Sequence, residues 1–527
     1  MRQYSFISRL KSLAVVFGMA LAFASCANED VPQNPTNPKE DNDKNLTTFV
    51  TGGETRTSLN YDSGDFYWEK DDYIYVKDDD GVLRKSTNAP TSKVAAFKYK
   101  VPGKFTANTS YKVYYFGKNS SNNQVVIPSA QSQSTPNNTE HFGVSGDYGT
   151  ATATGTLGGG SFSFELEHQA AYLVFHPYVS NTLLQNCYLT KIEVSSDNDI
   201  ASTYTLNAST GTLQSVSTGA ASDKEIILST KGSGAYANGF PLNTASDNVA
   251  INGAYMVIKP GTHTLKVRYW LKDVSTGTEG TVTKAFKAFN YDVNNYYDID
   301  GNLNIRDYDG NHYYQWDAQE QYWKGYEWTK HLAGNTGQPT QIFFRSSNYA
   351  QSNTDPRYWN ESYLGNGVST PATHTSCKDL PNANEMTWYA ANGEPRWDGD
   401  ELWTTMGHLY KGGIWFKKKA NISGYDPNTA VDGTDWRTTG NGNRGSWSVS
   451  RTLPSAADAG NYFYLPALGY YSTIGQLYGL GSAGLYWSSS GTPWADYGAY
   501  YLLFNSSNVN VDTNHRQHGF TVEPTFE

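Results

Sequence analysis

Between Leu46 and Ile299 the chain reads as one short strand after another, broken by turn residues and with no helical period between them. Residues 47–50, 56–59, 66–68 and 73–76 open the series, the last closed by the turn Asp78-Asp79-Asp80-Gly81. Residues 95–99, 111–116, 124–127, 162–166 and 172–175 continue it, followed by 189–194, 224–228, 255–259, 264–271 and 283–290. Pro260-Gly261-Thr262 supplies strong turn chemistry between two of the later strands. Such a succession lacks the crossover helices that βαβ units need, so it predicts antiparallel sheets packed as sandwiches.

Tryptophan marks a change of architecture further on. Trp68 and Trp270 are the only two before residue 316, and the other twelve of fourteen begin at Trp316. The joint is expected at Asp300-Gly301-Asn302, ahead of a segment dense in Trp, Gly and Asn. That segment holds one short helix near 382–391, with Pro381 before it and Gly393 after it. A chain of 527 residues has room for three domains. The expected divisions are a leader at 1–26, a linker at 27–45, a first sandwich at 46–183, a second at 184–303 and a C-terminal domain at 304–527.

The first 26 residues have the layout of a secretory signal: Arg2, Arg9 and Lys11, an apolar stretch from Leu13 to Ala24, then small residues before Cys26. The apolar stretch is shorter than the ~20 residues a membrane span needs. Cys26 followed by Asn28-Glu29-Asp30 resembles a bacterial lipoprotein processing site with a surface-export signal. The resemblance implies cleavage before Cys26, lipidation of its thiol, and a surface-exposed lipoprotein of the outer membrane. Residues 27–45 are Pro, Asn, Asp and Lys with almost no apolar content, the composition of a flexible tether.

Net charge is −10, which argues against nucleic acid as a partner, because phosphate-backbone affinity rests on Lys and Arg. Cys26, Cys187 and Cys377 are the three cysteines, too dispersed for a disulfide framework or a cysteine metal site.

Three motifs resemble the fimbrillin-like family of Bacteroidota pilus subunits. They are Thr55-Arg56-Thr57-Ser58-Leu59 leading to Trp68 and Asp72-Tyr73-Ile74-Tyr75-Val76; Val126-Ile127-Pro128-Ser129-Ala130-Gln131; and the run from Phe164 to Leu173 through His168. The resemblance implies two transthyretin-like β-sandwich domains and assembly with other fimbrial subunits by strand exchange. In the family an arginine-specific protease removes an N-terminal strand, and Arg56 is the position that matches, with residues 47–50 as the strand released. An unprocessed, exposed Arg56 is the alternative, and both readings stand. His168, flanked by alternating apolar residues and lacking ligands at metal spacing, reads as structural.

Beyond residue 370, the run from Cys377 to Tyr389, Tyr464-Leu465-Pro466-Ala467, Leu485-Tyr486-Trp487-Ser488-Ser489-Ser490 and His518-Gly519-Phe520-Thr521-Val522 resemble C-type-lectin-like domains related to sulfatase-modifying factors. The implied fold is a helix-poor α+β domain, giving a mainly β chain. Formylglycine-generating relatives need a cysteine pair, and this segment holds Cys377 alone. No carboxylate dyad, phosphate loop or nucleophile elbow is recognisable, so an enzyme is disfavoured. Binding fits better, because aromatic faces stack on sugar rings and carboxylates bond hydroxyls. The candidate ligand residues are Trp397, Asp398, Asp400, Trp403, Trp436 and Trp494, with core filling as the competing role for each tryptophan. Asp398, Asp400 and Glu401 could hold calcium, but animal-lectin calcium motifs are absent and no cofactor is expected.

The expected function is that of a fimbrial tip or minor subunit acting in adhesion, binding a host or bacterial surface glycan or protein. The tip placement follows from a globular domain standing where a shaft subunit offers its donor strand. The alternatives are a non-polymerising outer-membrane lipoprotein that binds polysaccharide, and, less favoured, a glycan-active enzyme.

Overall fold

The computed structural model describes residues 2–5, 45–51, 58–59, 61, 66–119, 124–207, 213–216, 220–326, 348–359, 371–438, 442–523 and 526–527. Cys26 and Arg56 lie outside the described residues. The chain is mainly β, and its α-helices among those residues are Val249–Asn252 and Ala383–Asn392.

The first module is a sheet whose strands run in the order Leu83–Lys85, Tyr75–Lys77, Ser110–Tyr115, Gly149–Gly155, Ser161–Phe164, Leu46–Thr51 and Lys98–Pro102. Period-2 alternation builds its core: Tyr111, Val113 and Tyr115 are buried, while Ser110 and Lys112 are exposed. Trp68 sits at the centre, its ring edge-on to Tyr99, Tyr115 and Phe164 at 5.4, 5.8 and 6.4 Å. His168 lies in this region as a structural residue, its Nδ1 2.9 Å from a buried Asp147 carboxylate that also accepts the Tyr172 hydroxyl.

The second module departs from the expected boundary at 183. Strand Ala171–Tyr178 runs parallel to Asn295–Asn302 and antiparallel to Ala254–Ile258, so it belongs with strands more than 70 residues downstream. Its unbroken burial from Ala171 to Pro177 is that of a strand covered on both faces. Gln124–Ile127 and Ala130–Ser132 likewise pair with Ser202–Leu206 and Glu225–Ser229. The Asp300-Gly301-Asn302 stretch forms the end of strand Asn295–Asn302. Gly301 lies so close to the neighbouring strand that an added Cβ would sit 2.0 Å from the His176 carbonyl oxygen.

The Gln131 side chain closes the open edge of this module. Its amide donates to the Val257 carbonyl at 2.7 Å and accepts from the Val257 N–H at 3.0 Å, and Gln133 treats Gly253 and Tyr255 the same way. Two side-chain amides thus stand in for a missing strand. They satisfy backbone groups that would otherwise be buried without partners.

The helix Ala383–Asn392 starts at a capping box: Asn382 accepts from the Glu385 N–H, and Glu385 accepts from the Asn382 N–H. Around it, Tyr313–Tyr314 pairs with Phe520–Thr521, bringing the two ends of this region together. Trp316, Trp323, Trp403, Trp436 and Trp487 are fully buried, and every other described tryptophan after residue 305 is half-buried. Core filling therefore accounts for much of the tryptophan density.

The C-terminal region is built onto the second module by sheet continuation. Strand Arg396–Thr405 meets Glu279–Tyr291 in a parallel bridge at Thr281 and Glu401, and His408–Lys417 and Tyr462–Pro466 extend the same sheet. Gly280 permits the approach, since a Cβ there would lie 2.4 Å from the Asp400 carbonyl oxygen. Leu402 enters the apolar core of the second module, with Leu409 and Ile305 packed against it.

Candidate functional site

The segment nominated from sequence for ligand binding is the first half of strand Arg396–Thr405. Its pairing with His408–Lys417 slips between Asp398 and Leu402. A bulge of this kind re-aims side chains, and here it turns Asp398 and Glu401 toward the second module.

Asp398 is buried and accepts from one Arg268 guanidinium nitrogen at 3.0 and 3.2 Å, from Trp415 Nε1 at 3.2 Å and from the Asp400 N–H at 3.0 Å. The same Arg268 nitrogen donates to the Thr281 hydroxyl at 3.0 Å. Glu401 accepts from the Thr283 N–H, the Thr283 hydroxyl and the Thr281 hydroxyl at 2.9, 2.6 and 2.9 Å. Burial, aided by the Asp398 charge, pushes the Glu401 carboxyl up against the opposing pull of these threonine hydrogen bonds.

Two cavities flank the Arg268–Asp398 pair. One, of about 240 Å³, is lined by Lys266, Arg268, Asp398, Trp415, Pro454 and Tyr462 among others. The other, of about 500 Å³, is lined by Arg268, Trp397, Asp398, Asp400, Arg451 and Ser506 among others. The structure therefore brings Trp397, Asp398 and Asp400 to one place. Trp403 lies in the core, its Nε1 donating to the Gly412 carbonyl at 2.9 Å and its ring stacked on Tyr410. Trp436 is also buried and donates to Asp432, and with Trp494 it flanks Tyr500 rather than either cavity.

Each of the three acidic residues considered for calcium is engaged by a protein partner. Asp398 is held by Arg268, Asp400 pairs with Lys411 at 3.1 Å, and Glu401 is held by the threonines. No cluster of three or more His, Cys, Asp or Glu that could hold a metal occurs among the described residues. The Cys377 thiol is buried, and burial pushes it up to about 12.

Lys266, Arg268 and Trp415 are site residues that sequence reasoning missed. The signal was present in Leu265-Lys266-Val267-Arg268-Tyr269, where two cations alternate with core residues and share the outer face of one strand. That another region would cover this face could not be read from it.

A second candidate site is the slot filled by Leu46–Thr51. The strand runs parallel to Ser161–Phe164 on one side and antiparallel to Lys98–Pro102 on the other. Phe49 is fully buried, stacked on Phe162 at 5.4 Å and edge-on to Phe105 at 5.1 Å.

Comparison with protein-family models finds no match, and comparison with curated proteins finds none either. Among solved structures, the chain is similar to a candidate cell adhesion protein of Bacteroides ovatus, at 13% identity and TM-score 0.32, over 48% of this chain and 91% of that one. It is also similar to the fimbrial anchor protein Mfa2 of Porphyromonas gingivalis, at 13% identity and TM-score 0.22, over 45% and 82%. A fimbrial protein of Bacteroides ovatus aligns over 89% of this chain and 99% of its own, at 11% identity and TM-score 0.22.

Proposed function

We propose that this chain is a surface adhesion subunit of a fimbrium, anchored through a lipid on Cys26, that accepts a neighbour's strand in its first module and recognises a ligand with its C-terminal region. The observation that carries the reading is the position of Leu46–Thr51. It is an interior strand of its sheet, yet the first of its module among the described residues, and it leads directly into the segment that holds Arg56. Cleavage after Arg56 would release it and open two ladders, with an apolar groove where Phe49 lay. An extended donor with alternating apolar residues would refill that groove. The motifs of the fimbrillin-like resemblance support the same mechanism.

The C-terminal region is read as a C-type-lectin-like recognition domain. Phe526 packs against Tyr389, Phe463 and Tyr486 within this region, and the Lys419 N–H donates to the Glu527 main-chain oxygen.

The test is N-terminal sequencing of protein shed from the cell surface, together with an Arg56→Ala variant. The proposal expects a start at Thr57 and loss of the variant from fibres. An intact N-terminus in fibre-free, monomeric protein would favour the competing reading, a non-polymerising lipoprotein that binds polysaccharide. One observation favours that alternative: the first module is already complete with its own strand.

A further inference from the structure

The 240 Å³ cavity between the second module and the C-terminal region holds more cationic hydrogen-bonding capacity than the protein uses. Lys266 is nine-tenths buried and its ammonium donates to one neutral acceptor, the Pro454 carbonyl oxygen at 2.7 Å. Among the described residues no carboxylate lies within ion-pair distance of it; Glu193, Asp398 and Glu225 act on it at longer range. Arg268, also more than nine-tenths buried, engages Asp398 and Thr281 through one terminal nitrogen, and its Nε–H has no acceptor. Buried cationic donors left without acceptors are costly. A site that keeps an ammonium on one neutral acceptor and a guanidinium Nε–H on none, both beside a cavity, is prepared for an anion.

The remaining walls restrict which anion. Trp415 and Tyr462 contribute aromatic surface, Leu453, Pro454 and Ala459 apolar surface, and Lys418 a further cation, itself paired with Glu527 at 2.8 Å. Asp398, the carboxylate in the lining, is neutralised by Arg268. A volume below the ~300–1,000 Å³ typical of drug-sized ligands suits one ring rather than a chain. Aromatic walls with converging cations suit a ring that carries both an apolar C–H face and a carboxylate.

We infer that this junction cavity binds a carboxylate-bearing sugar, a uronic or sialic acid residue of a surface glycan, with Lys266 and the Arg268 Nε–H bonding its carboxylate and Trp415 packing on its ring. The inference rests on the reading of the C-terminal region as a glycan-recognition domain and names the ligand class for it. It also makes the second module part of the site, since Lys266 and Arg268 come from strand Gly261–Asp273.

The test is calorimetric titration of the full chain with glucuronate, galacturonate and N-acetylneuraminate, against glucose, galactose and N-acetylglucosamine, with acetate and a glutamate-rich peptide as controls. The expected result is binding of at least one acidic sugar, no binding of its neutral counterpart, and a loss of roughly ten- to hundred-fold in Lys266→Met, the effect of removing one charge-assisted hydrogen bond. Trp415→Phe provides a second variant, expected to weaken binding while leaving the selectivity for the acidic sugar. Equal binding of neutral and acidic sugars, unchanged in Lys266→Met, would overturn the inference and leave the glycan-recognition reading intact. Equal binding of acetate or the peptide would show a carboxylate site without sugar recognition and overturn it as well. Silence toward these sugars overturns it too, and silence extending across a broad glycan array would remove the glycan reading with it.

Discussion

Thr283 gives both its backbone N–H and its hydroxyl to the Glu401 carboxylate, at 2.9 and 2.6 Å, across the boundary between the second module and the C-terminal region. Together with Thr281 it satisfies a carboxyl that is buried beside a second carboxylate, Asp398. The junction is therefore a polar one set within a continuous sheet, and its chemistry fixes how firmly the two regions hold together.

The first consequence is a dependence on pH. Burial, then the Asp398 charge, raises the folded-state value of Glu401 from 4.5 to about 7. Between those values the folded protein binds more protons than the unfolded one. The stabilisation tied to protonated Glu401 is thus fully present below about pH 4.5 and is lost as pH rises through about 7. Thermal unfolding of the full chain should show this slope, on the order of 1–3 kcal/mol across the window. Glu401→Gln, which is uncharged throughout, should flatten it. An unchanged slope in that variant would locate the titrating group elsewhere.

Arg268→Ala should be among the more destabilising substitutions at the junction. It leaves Asp398 buried with its charge uncompensated, a loss that typically costs about 3–5 kcal/mol. The paired replacement Arg268→Met with Asp398→Leu should be milder, because no charge is stranded. Calorimetry of both variants separates the cases: equal destabilisation would mean that the pair is not acting as a unit.

Local structure was legible in the sequence where a short pattern fixes it. Strand Gln124–Ile127 falls on the short β-branched run expected to form it, and the helix expected over 382–391 forms one residue later because Asn382 serves as its cap. Pairing was not legible. Strand Ala171–Tyr178 chooses Asn295–Asn302 as its parallel neighbour, and no local feature of either announces the other. The candidate site divides on the same ground. Trp397 and Trp403 are six residues apart and look alike in sequence, but one lines a cleft and the other fills the core. Arg268 and Asp398 are 130 residues apart, and only the tertiary fold brings them within 3.0 Å.

Gln131→Leu tests whether a side-chain amide can substitute for a strand. Leucine keeps much of the volume but removes both partners of Val257, leaving a buried N–H and a buried carbonyl on the Ala254–Ile258 edge. Each unsatisfied group costs about 1–3 kcal/mol, so a substantial fall in melting temperature is expected. Gln131→Glu should rescue little, since an ionised carboxylate offers no donor to the Val257 carbonyl. A neutral outcome for Gln131→Leu would mean that water reaches this edge.

Phe49→Ala addresses the slot itself. Truncating a fully buried phenylalanine costs about 3–5 kcal/mol, and here the loss falls on a strand held by its ladders and by one ring between Phe105 and Phe162. The strand should loosen before the rest of the module does. Hydrogen exchange should therefore accelerate at Thr48 and Thr51, whose N–H groups bond to Gly160 and Phe97, more than at Val113 in the neighbouring part of the sheet. If the segment is built to leave, the variant cut after Arg56 should lose residues 46–56 faster than the parent and bind an extended donor peptide sooner, with its C-terminal region still folded. Uniform acceleration of exchange across the whole first module would mean instead that Leu46–Thr51 is an integral strand whose loss unfolds its sheet, and the strand-replacement reading would fail with it.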